Sequence, residues 1–327
     1  MPDSPQPAPA TGIAPRHIMI TSVKDEGPYL IEFIAHHRIM GFDRHHFASN
    51  DCSDGTDLLL DVLAAHGVIT HTPNPLLPGE KPQPMAYSRI RDAHDIDQAD
   101  WIMVLDVDEF LQVKTGEGRV RDLTDLADPN IDLISLNSLN FGTNDDAYWH
   151  PGLVTRQFTR RLPFAHPRNA PLKSLTRGRG RFAGLHNHNP VNFLGGQRPV
   201  RALLGSGDVI EVEETGRMVQ HFRRRIPGET SHRIAHYNHY PIKSMESFIQ
   251  RHVRGRGGMP VGVINPNRYT ESYWDGFAGA NIEDHGIIDR YGAELDAEIA
   301  RLMALPDVTE AYQNTLHGYR RLLDSLT

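Results

Sequence analysis

Three carboxylates fall within four positions at Asp106, Asp108 and Glu109, directly after the apolar run Trp101-Ile102-Met103-Val104-Leu105. Such a run reads as a strand buried on both faces of a sheet. Strands of α/β sheets deliver functional groups at their carboxyl ends. If the backbone stays extended through the acids, Asp106 and Asp108 project to the same side. Two carboxylates that close repel unless a cation or proton stands between them, so the pair points to a divalent metal. The plain alternative is an acidic turn facing water. For an isolated Asp-x-Asp that alternative is the better one, so the weight rests on what else reaches the same edge.

Several residues do. Asp51 and Asp54 lie in the loop Asp51-Cys52-Ser53-Asp54-Gly55-Thr56, after a second expected strand. They can hydrogen-bond a ribose or a base edge, or Asp54 and Thr56 can simply cap the next helix. Lys24 and Glu26 follow the first expected strand, where a helix amino end beside a lysine suits an anion. His239 ends a late strand, and a neutral imidazole is a good third ligand beside two carboxylates for Mn²⁺. Lys243 and Arg251 follow it and offer charge to phosphates, as do the arginines of 177–181 and 223–225. Mg²⁺ and Mn²⁺ are held by a few carboxylates plus substrate phosphates rather than by an all-protein cage. The mixture of acids and bases therefore points to a nucleoside diphosphate.

The elements that would position these residues follow a strand–helix rhythm. Strands are expected at His17–Val23, Arg44–Ala48 and Val68–Thr70. Helices are expected from Tyr29, with Leu30, Phe33, Ile34 and His37 on one face and Gly41 closing it, and from Asp57 to His66. This is the βαβ pattern of a parallel sheet. The stretch 73–84 reads as a proline-rich loop, and Met85–Ile96 as a helix carrying Tyr87, Arg89 and Arg91, with Arg89 a candidate for the donor site. Further strands are expected at Ile131–Leu139, Leu172–Leu175, Phe182–His186 and Ile234–Tyr240. A helix over Ser244–Val253 has Ser244 as its cap and Met245, Phe248 and Ile249 as its buried stripe. From Arg268 the chain reads as mostly helical.

Composition narrows the field. The net charge of −7 gives the whole molecule no electrostatic reason to seek nucleic acid or an anionic membrane. Cys52 is the only cysteine, so no intramolecular disulfide can form, which fits a reducing compartment. No run of about 18 apolar residues predicts a membrane span. Residues 1–15 are polar and proline-rich, lack the form of a secretion signal and read as a disordered lead. A Walker loop, a dinucleotide fingerprint, a nucleophile elbow and a zinc motif are all missing.

Three stretches, TSVKDEGPYLIEFIAHHRIMGFDRHHFASNDCSDGT, ADWIMVLDVDEFL and HYNHYPIKSMESFIQRHVRGRG, together resemble the glycosyltransferase family 2-like proteins related to family 92. The resemblance implies a GT-A fold, a Rossmann-like sheet in an α/β domain over residues 16–260, with 261–327 as a helical extension packed on it. It implies that Asp106 and Asp108 hold Mn²⁺ or Mg²⁺ against the diphosphate of a nucleotide-sugar, a UDP-sugar first of all. Asp51 and Asp54, near Lys24 and Glu26, would contact the nucleoside. His239, beside Lys243, would reach the metal or diphosphate, with His186 as the other histidine candidate. The segment SLNFGTNDDAYWHPG resembles the acceptor side. Relatives carry an acidic residue where this chain has Arg156 and Gln157, so the catalytic base stays open among Asp145, Asp146 and Glu109. The expected reaction is inverting transfer to a hydroxyl of a glycan or other acceptor, in the cytoplasm or at the inner face of a membrane. A nucleotidyltransferase, a metal phosphohydrolase, or a ligand-binding protein without activity are the alternatives.

Overall fold

The alternation in the first strand decides where the sheet lies. In β1 (His17–Val23), Ile18 and Ile20 pack on one side with Ile90, Ile102 and Val104. Met19 and Val23 pack on the other with Phe33, Phe47 and Leu60. A strand apolar on both faces needs cover on both faces. A computed structural model describes residues 16–213, 229–255, 257–261, 263 and 270–326, and shows that cover. On one side lie α1 (Gly27–Ile39) and α2 (Thr56–Ala65), and on the other α3 (Pro82–Ala93). The lead 1–15 and the basic cluster 223–225 lie outside the described residues.

Next to β1 stand β2 (Arg44–Ser49), β3 (Thr70–Pro73) and β4 (Trp101–Val104). After β5 (Glu109–Val113) come α4 (Val120–Thr124), β6 (Leu133–Asn140), α5 (Val154–Gln157), β7 (Arg160–Arg161) and β8 (Leu172–Arg177). Two short strands, β9 (Phe182–Gly184) and β10 (Val191–Phe193), pair with each other, and β11 (Val200–Leu204) and β12 (Val209–Val212) follow. The sheet runs β12-β11-β6-β8-β4-β1-β2-β3. It is parallel through β4-β1-β2-β3 and between β11 and β6, while β8 is antiparallel between β4 and β6. Strand β13 (Ala235–His239) pairs parallel with β6 and antiparallel with β5. The α/β class expected from the sequence, a mostly parallel Rossmann-like sheet flanked by helices with a helical C-terminal region, is the class found.

Some local expectations change. The expected strand at Trp101–Leu105 ends at Val104, and the Glu109 amide donates to the Asp106 carbonyl at 2.9 Å to close a turn before β5 begins. A turn, rather than an extended i, i+2 repeat, therefore presents the acids. Helix α3 begins at Pro82, inside the stretch that reads as loop, since proline is tolerated in a first helical turn. Helix α6 (Met245–Arg254) has its Ser244 cap, whose Oγ accepts from the Ser247 amide at 3.2 Å. Its buried face is not the expected one. Phe248 is buried with Ser247 and Gln250, whereas Met245 and Ile249 are exposed. The polar side of this helix turns inward because it faces a charged cavity.

After α7 (Glu271–Ala278) and β14 (Ile282–Glu283), helices α8 (Gly286–Met303) and α9 (Val308–Asp324) join the main core through Tyr291, Leu295, Leu302, Tyr319 and Leu323. Contact with the loops beside the sheet is close. A Cβ on Gly27 would stand 2.5 Å from Thr315 Cβ, and one on Gly318 would stand 2.2 Å from the Asp54 carbonyl oxygen. Among the described residues, no helix is long and apolar enough to cross a membrane.

Candidate active site

Strands β1, β2 and β4 run the same way, so their carboxyl ends share one edge, where a cavity of about 730 Å³ opens. Lys24 and Glu26 reach it from the loop after β1, Asp51 from the loop after β2, and Asp106, Asp108 and Glu109 from the turn after β4. The pairing of β13 with β5 sets His239 opposite Glu109, and His239 lines the same cavity. Arg251 and Arg254, from the last turn of α6, close another side.

The acids are held in a network of charge. Asp108 is buried, with Oδ2 accepting from Arg251 Nη1 at 2.5 Å and lying 3.7 Å from His239 Nε2. Burial works against its ionised form, but Arg251, then His239 and Lys243, outweigh it and hold the carboxyl well below its usual range. Glu26 repeats the pattern: burial opposes its charge, and Arg254 at 2.6 Å with Lys243 at 3.8 Å pulls it below its usual range. Asp106 accepts from Gln83 Nε2 at 2.9 Å and from Lys173 Nζ at 3.2 Å. The Lys173 ammonium is wholly buried and also meets Glu109 at 2.7 Å. Burial raises the Glu109 pKa, Lys173 lowers it, and Asp106 and Asp108 raise it again, leaving it at about 8.

The strand register explains why Lys173 arrives there. Antiparallel β8 pairs Leu175 with Met103, so Lys173, two residues earlier, lies beyond the end of β4 beside the acidic turn. Nothing in the sequence pairs Lys173 with these acids. The available signal was a lysine in the middle of a strand whose neighbours Leu172 and Leu175 are core residues, because a buried ammonium requires a carboxylate partner. Arg254 and Gln83 were missed for the same reason, since only the packing of α6 and α3 brings them in.

Other expected residues fall elsewhere. Asp54 does not line the cavity: its carboxylate accepts from the Gly27 amide at 3.0 Å and the Thr56 amide at 2.8 Å, and burial raises its pKa to about 6. With Thr56 Oγ1 accepting from the Glu26 amide at 3.0 Å, the first N–H groups of α1 are already satisfied, so this helix end offers no anion site as expected. Lys243 is buried behind Glu26, over the Tyr29 ring at 4.3 Å, and does not line the cavity. Arg89 Nη1 donates to Asn74 Oδ1, away from the cavity. Asp145 is exposed and paired with Arg160 at 3.0 Å, and neither it nor Asp146 lines the cavity. Of the two neighbouring histidines, His188 lines it and His186 does not.

Whether a divalent ion suits these residues turns on His239. Asn169 Nδ2 donates to the carbonyls of Pro163 and Phe164, which leaves its Oδ1 to accept from Asn140. Asn140 Nδ2 donates to the Arg168 carbonyl at 2.8 Å, which turns Asn140 Oδ1 toward His239 Nδ1 at 2.9 Å. Nδ1 then donates to Asn140, and Nε2 lies on the Asp108 side, protonated when it pairs with that carboxylate and bare only when it ligates a cation. The bare form is the one a metal ligand needs. Among the described residues, no three His, Cys, Asp or Glu side chains stand grouped to hold an ion. The arrangement fits a cation that takes one or two protein carboxylates and completes its shell with substrate phosphates.

The model of glycosyltransferase family 92 matches residues 23–254, about seven-tenths of the chain, and spans every cavity residue from Lys24 to Arg254. A search of curated proteins finds no match. Among solved structures, the chain is similar to S. aureus TarS in complex with UDP-GlcNAc, with 9% identity, 95% of this chain and 91% of that chain covered, and a TM-score of 0.34. It is also similar to the WbbM bifunctional glycosyltransferase, with 11% identity, 95% and 54% covered, and a TM-score of 0.28. An active-site mutant of LgtC matches at 17% identity over 36% of this chain and 45% of that one, with a TM-score of 0.24. These likenesses carry no residue-by-residue correspondence. On the family match, the chain belongs to glycosyltransferase family 92.

Proposed function

We propose that the cavity binds a nucleoside-diphosphate sugar together with Mn²⁺ or Mg²⁺, and that the sugar is transferred with inversion to a hydroxyl of a glycan or other acceptor. One observation carries this reading. The carboxyl edge of the sheet gathers Asp51, Asp106, Asp108 and His239 with Lys24, Arg251 and Arg254 around one cavity. Acids alone would suit a metal and bases alone a phosphate. Both together suit a metal–diphosphate pair.

Each residue then has a task. Asp51, which lines the cavity from the loop after β2, offers its carboxylate to nucleoside hydroxyls. Asp108 and Asp106 would hold the cation together with the phosphate oxygens, and His239, oriented by Asn140, borders the Asp108 side of that place. The cation, when bound, lends Lewis-acid neutralisation to the departing diphosphate, and Arg251, Arg254 and Lys24 share that negative charge. Of the three candidate bases, Glu109 lines the cavity. Its raised pKa places it close to the range in which a carboxylate takes a proton efficiently from a hydroxyl.

A thermal-shift and donor-hydrolysis panel of nucleotide-sugars, UDP-sugars first, with and without Mn²⁺, tests the reading. Metal-dependent stabilisation and release of nucleoside diphosphate support it. Release of nucleoside monophosphate contradicts it.

A further inference from the structure

Asp108 is a buried carboxylate whose charge is met by Arg251. We infer that Arg251 stands in for the incoming cation at Asp108, and that it leaves Asp108 for the diphosphate when metal and nucleotide bind together. This rests on the reading of the cavity as a metal–diphosphate site.

The geometry supports an exchange rather than a fixed pair. Arg251 Nη1 is shared between Asp108 Oδ2 and the Pro241 carbonyl at 2.9 Å, and the side chain borders the cavity itself. It projects from the last turn of α6, and Gly255 just beyond adopts φ +87 with nothing within 4 Å of where a Cβ would be. Arg254 on the same turn treats Glu26 in the same way and also donates to the Lys24 carbonyl at 2.6 Å. Two guanidiniums on one helix end thus neutralise two carboxylates that border the space a diphosphate would fill. Lys173 differs: it is wholly buried between Asp106 and Glu109, with no route to the cavity that keeps them neutral.

Charge then dictates the order of events. A cation arriving alone must displace Arg251 from the carboxylate it pairs with. A diphosphate arriving alone must draw Arg251 away and leave Asp108 buried and bare, which is costly. Arriving together, each charge acquires a partner: Asp108 the cation, Arg251 the phosphate. Arg251 is therefore the source of a positive coupling between metal and nucleotide, and that coupling is reciprocal.

The test measures Mn²⁺ binding to the full chain by the electron paramagnetic resonance signal of the free ion, with and without UDP or GDP. In the unsubstituted protein, nucleotide is expected to tighten Mn²⁺ binding by about tenfold or more. In Arg251→Met, Mn²⁺ alone should bind about tenfold tighter, and the nucleotide effect should shrink to about threefold or less. Arg251→Lys, which keeps the charge, should retain most of the coupling and serves if the methionine variant does not fold. Unchanged Mn²⁺ affinity and unchanged coupling in a folded Arg251→Met overturn the inference while leaving the metal site intact. An unsubstituted protein that binds no Mn²⁺ with or without nucleotide overturns the metal reading, and the inference with it.

Discussion

Lys173 Nζ lies 2.7 Å from Glu109 Oε2, with the lysine side chain wholly buried and the glutamate nearly so. The same ammonium reaches Asp106 at 3.2 Å. An internal ammonium of this kind fixes the acidic turn in place even when no substrate is bound.

Removing that charge leaves the buried Glu109 and the partly exposed Asp106 without their shared ammonium. Lys173→Met is expected to lower the unfolding free energy by about 3 kcal/mol, the cost of breaking one half of a buried pair. Urea denaturation gives the value. A loss under about 1 kcal/mol would mean that the pair contributes little to holding the turn.

The C-terminal helix should matter to the donor site although it lines none of it. Gly318→Ala places a methyl group against the Asp54 carbonyl, where a Cβ has 2.2 Å of room. Asp54 anchors the amino end of α1 through Gly27. Overpacking of this kind costs about 1–3 kcal/mol. A melt lowered accordingly, with weaker nucleotide binding, is the expected outcome, and an unchanged melting temperature would argue against this buttress.

Much of the acid sensitivity should come from histidine. Burial lowers the pKa of His17, His36 and His232 to about 4, and that of His45 and His46 to about 3. In the open chain the imidazole pKa is 6.5, so between these limits the unfolded state binds more protons than the folded one. Stability is therefore full above pH 6.5 and is lost as pH falls toward 4 and 3. Each histidine adds at most about 1.4 kcal/mol per pH unit. Between about pH 6 and 4 these five rings outnumber the carboxyls whose pKa the fold raises, among them Glu109 and Asp54, so calorimetry should show a melting temperature that falls steeply over that range. Equal stability on both sides of this range would contradict the burial of these rings.

If Glu109 is the base, turnover should rise with pH through about 8 and level off above it, because only the ionised carboxylate accepts a proton. Glu109→Gln should lower kcat by about a hundredfold or more while donor binding remains. A pH–rate profile that does not change in this variant would assign the proton to another group.

The parts of this arrangement that depend on short-range pattern were legible in the sequence, and the parts that depend on pairing were not. The apolar run Trp101–Leu105 announced a strand buried on both faces, and its residues divide between the two sides of the sheet as that reading requires. Ser244 announced a helix start, and the acids after Leu105 announced the functional edge. The turn at Asp106 was hidden because Phe110 and Leu111 continue the apolar run, though they belong to a strand that pairs with β13 instead of β4. Met245 and Ile249 were placed inward on their spacing, but the charged cavity attracts Arg251 and Arg254 and turns the helix the other way. Asp145 looked like a base by its place in the chain, and only the fold shows it in solvent with Arg160.

The most direct measurement is calorimetric titration of nucleoside diphosphates into the full chain in the presence of Mn²⁺, repeated with Asp108→Asn and Asp106→Asn. At least one nucleoside diphosphate should bind the unsubstituted protein, and each substitution should weaken it by about tenfold or more, in keeping with lost charge-assisted contacts to a bound cation. If no nucleoside diphosphate binds, or if both variants bind as tightly as the unsubstituted protein, the cavity is not a metal-assisted nucleotide-sugar site.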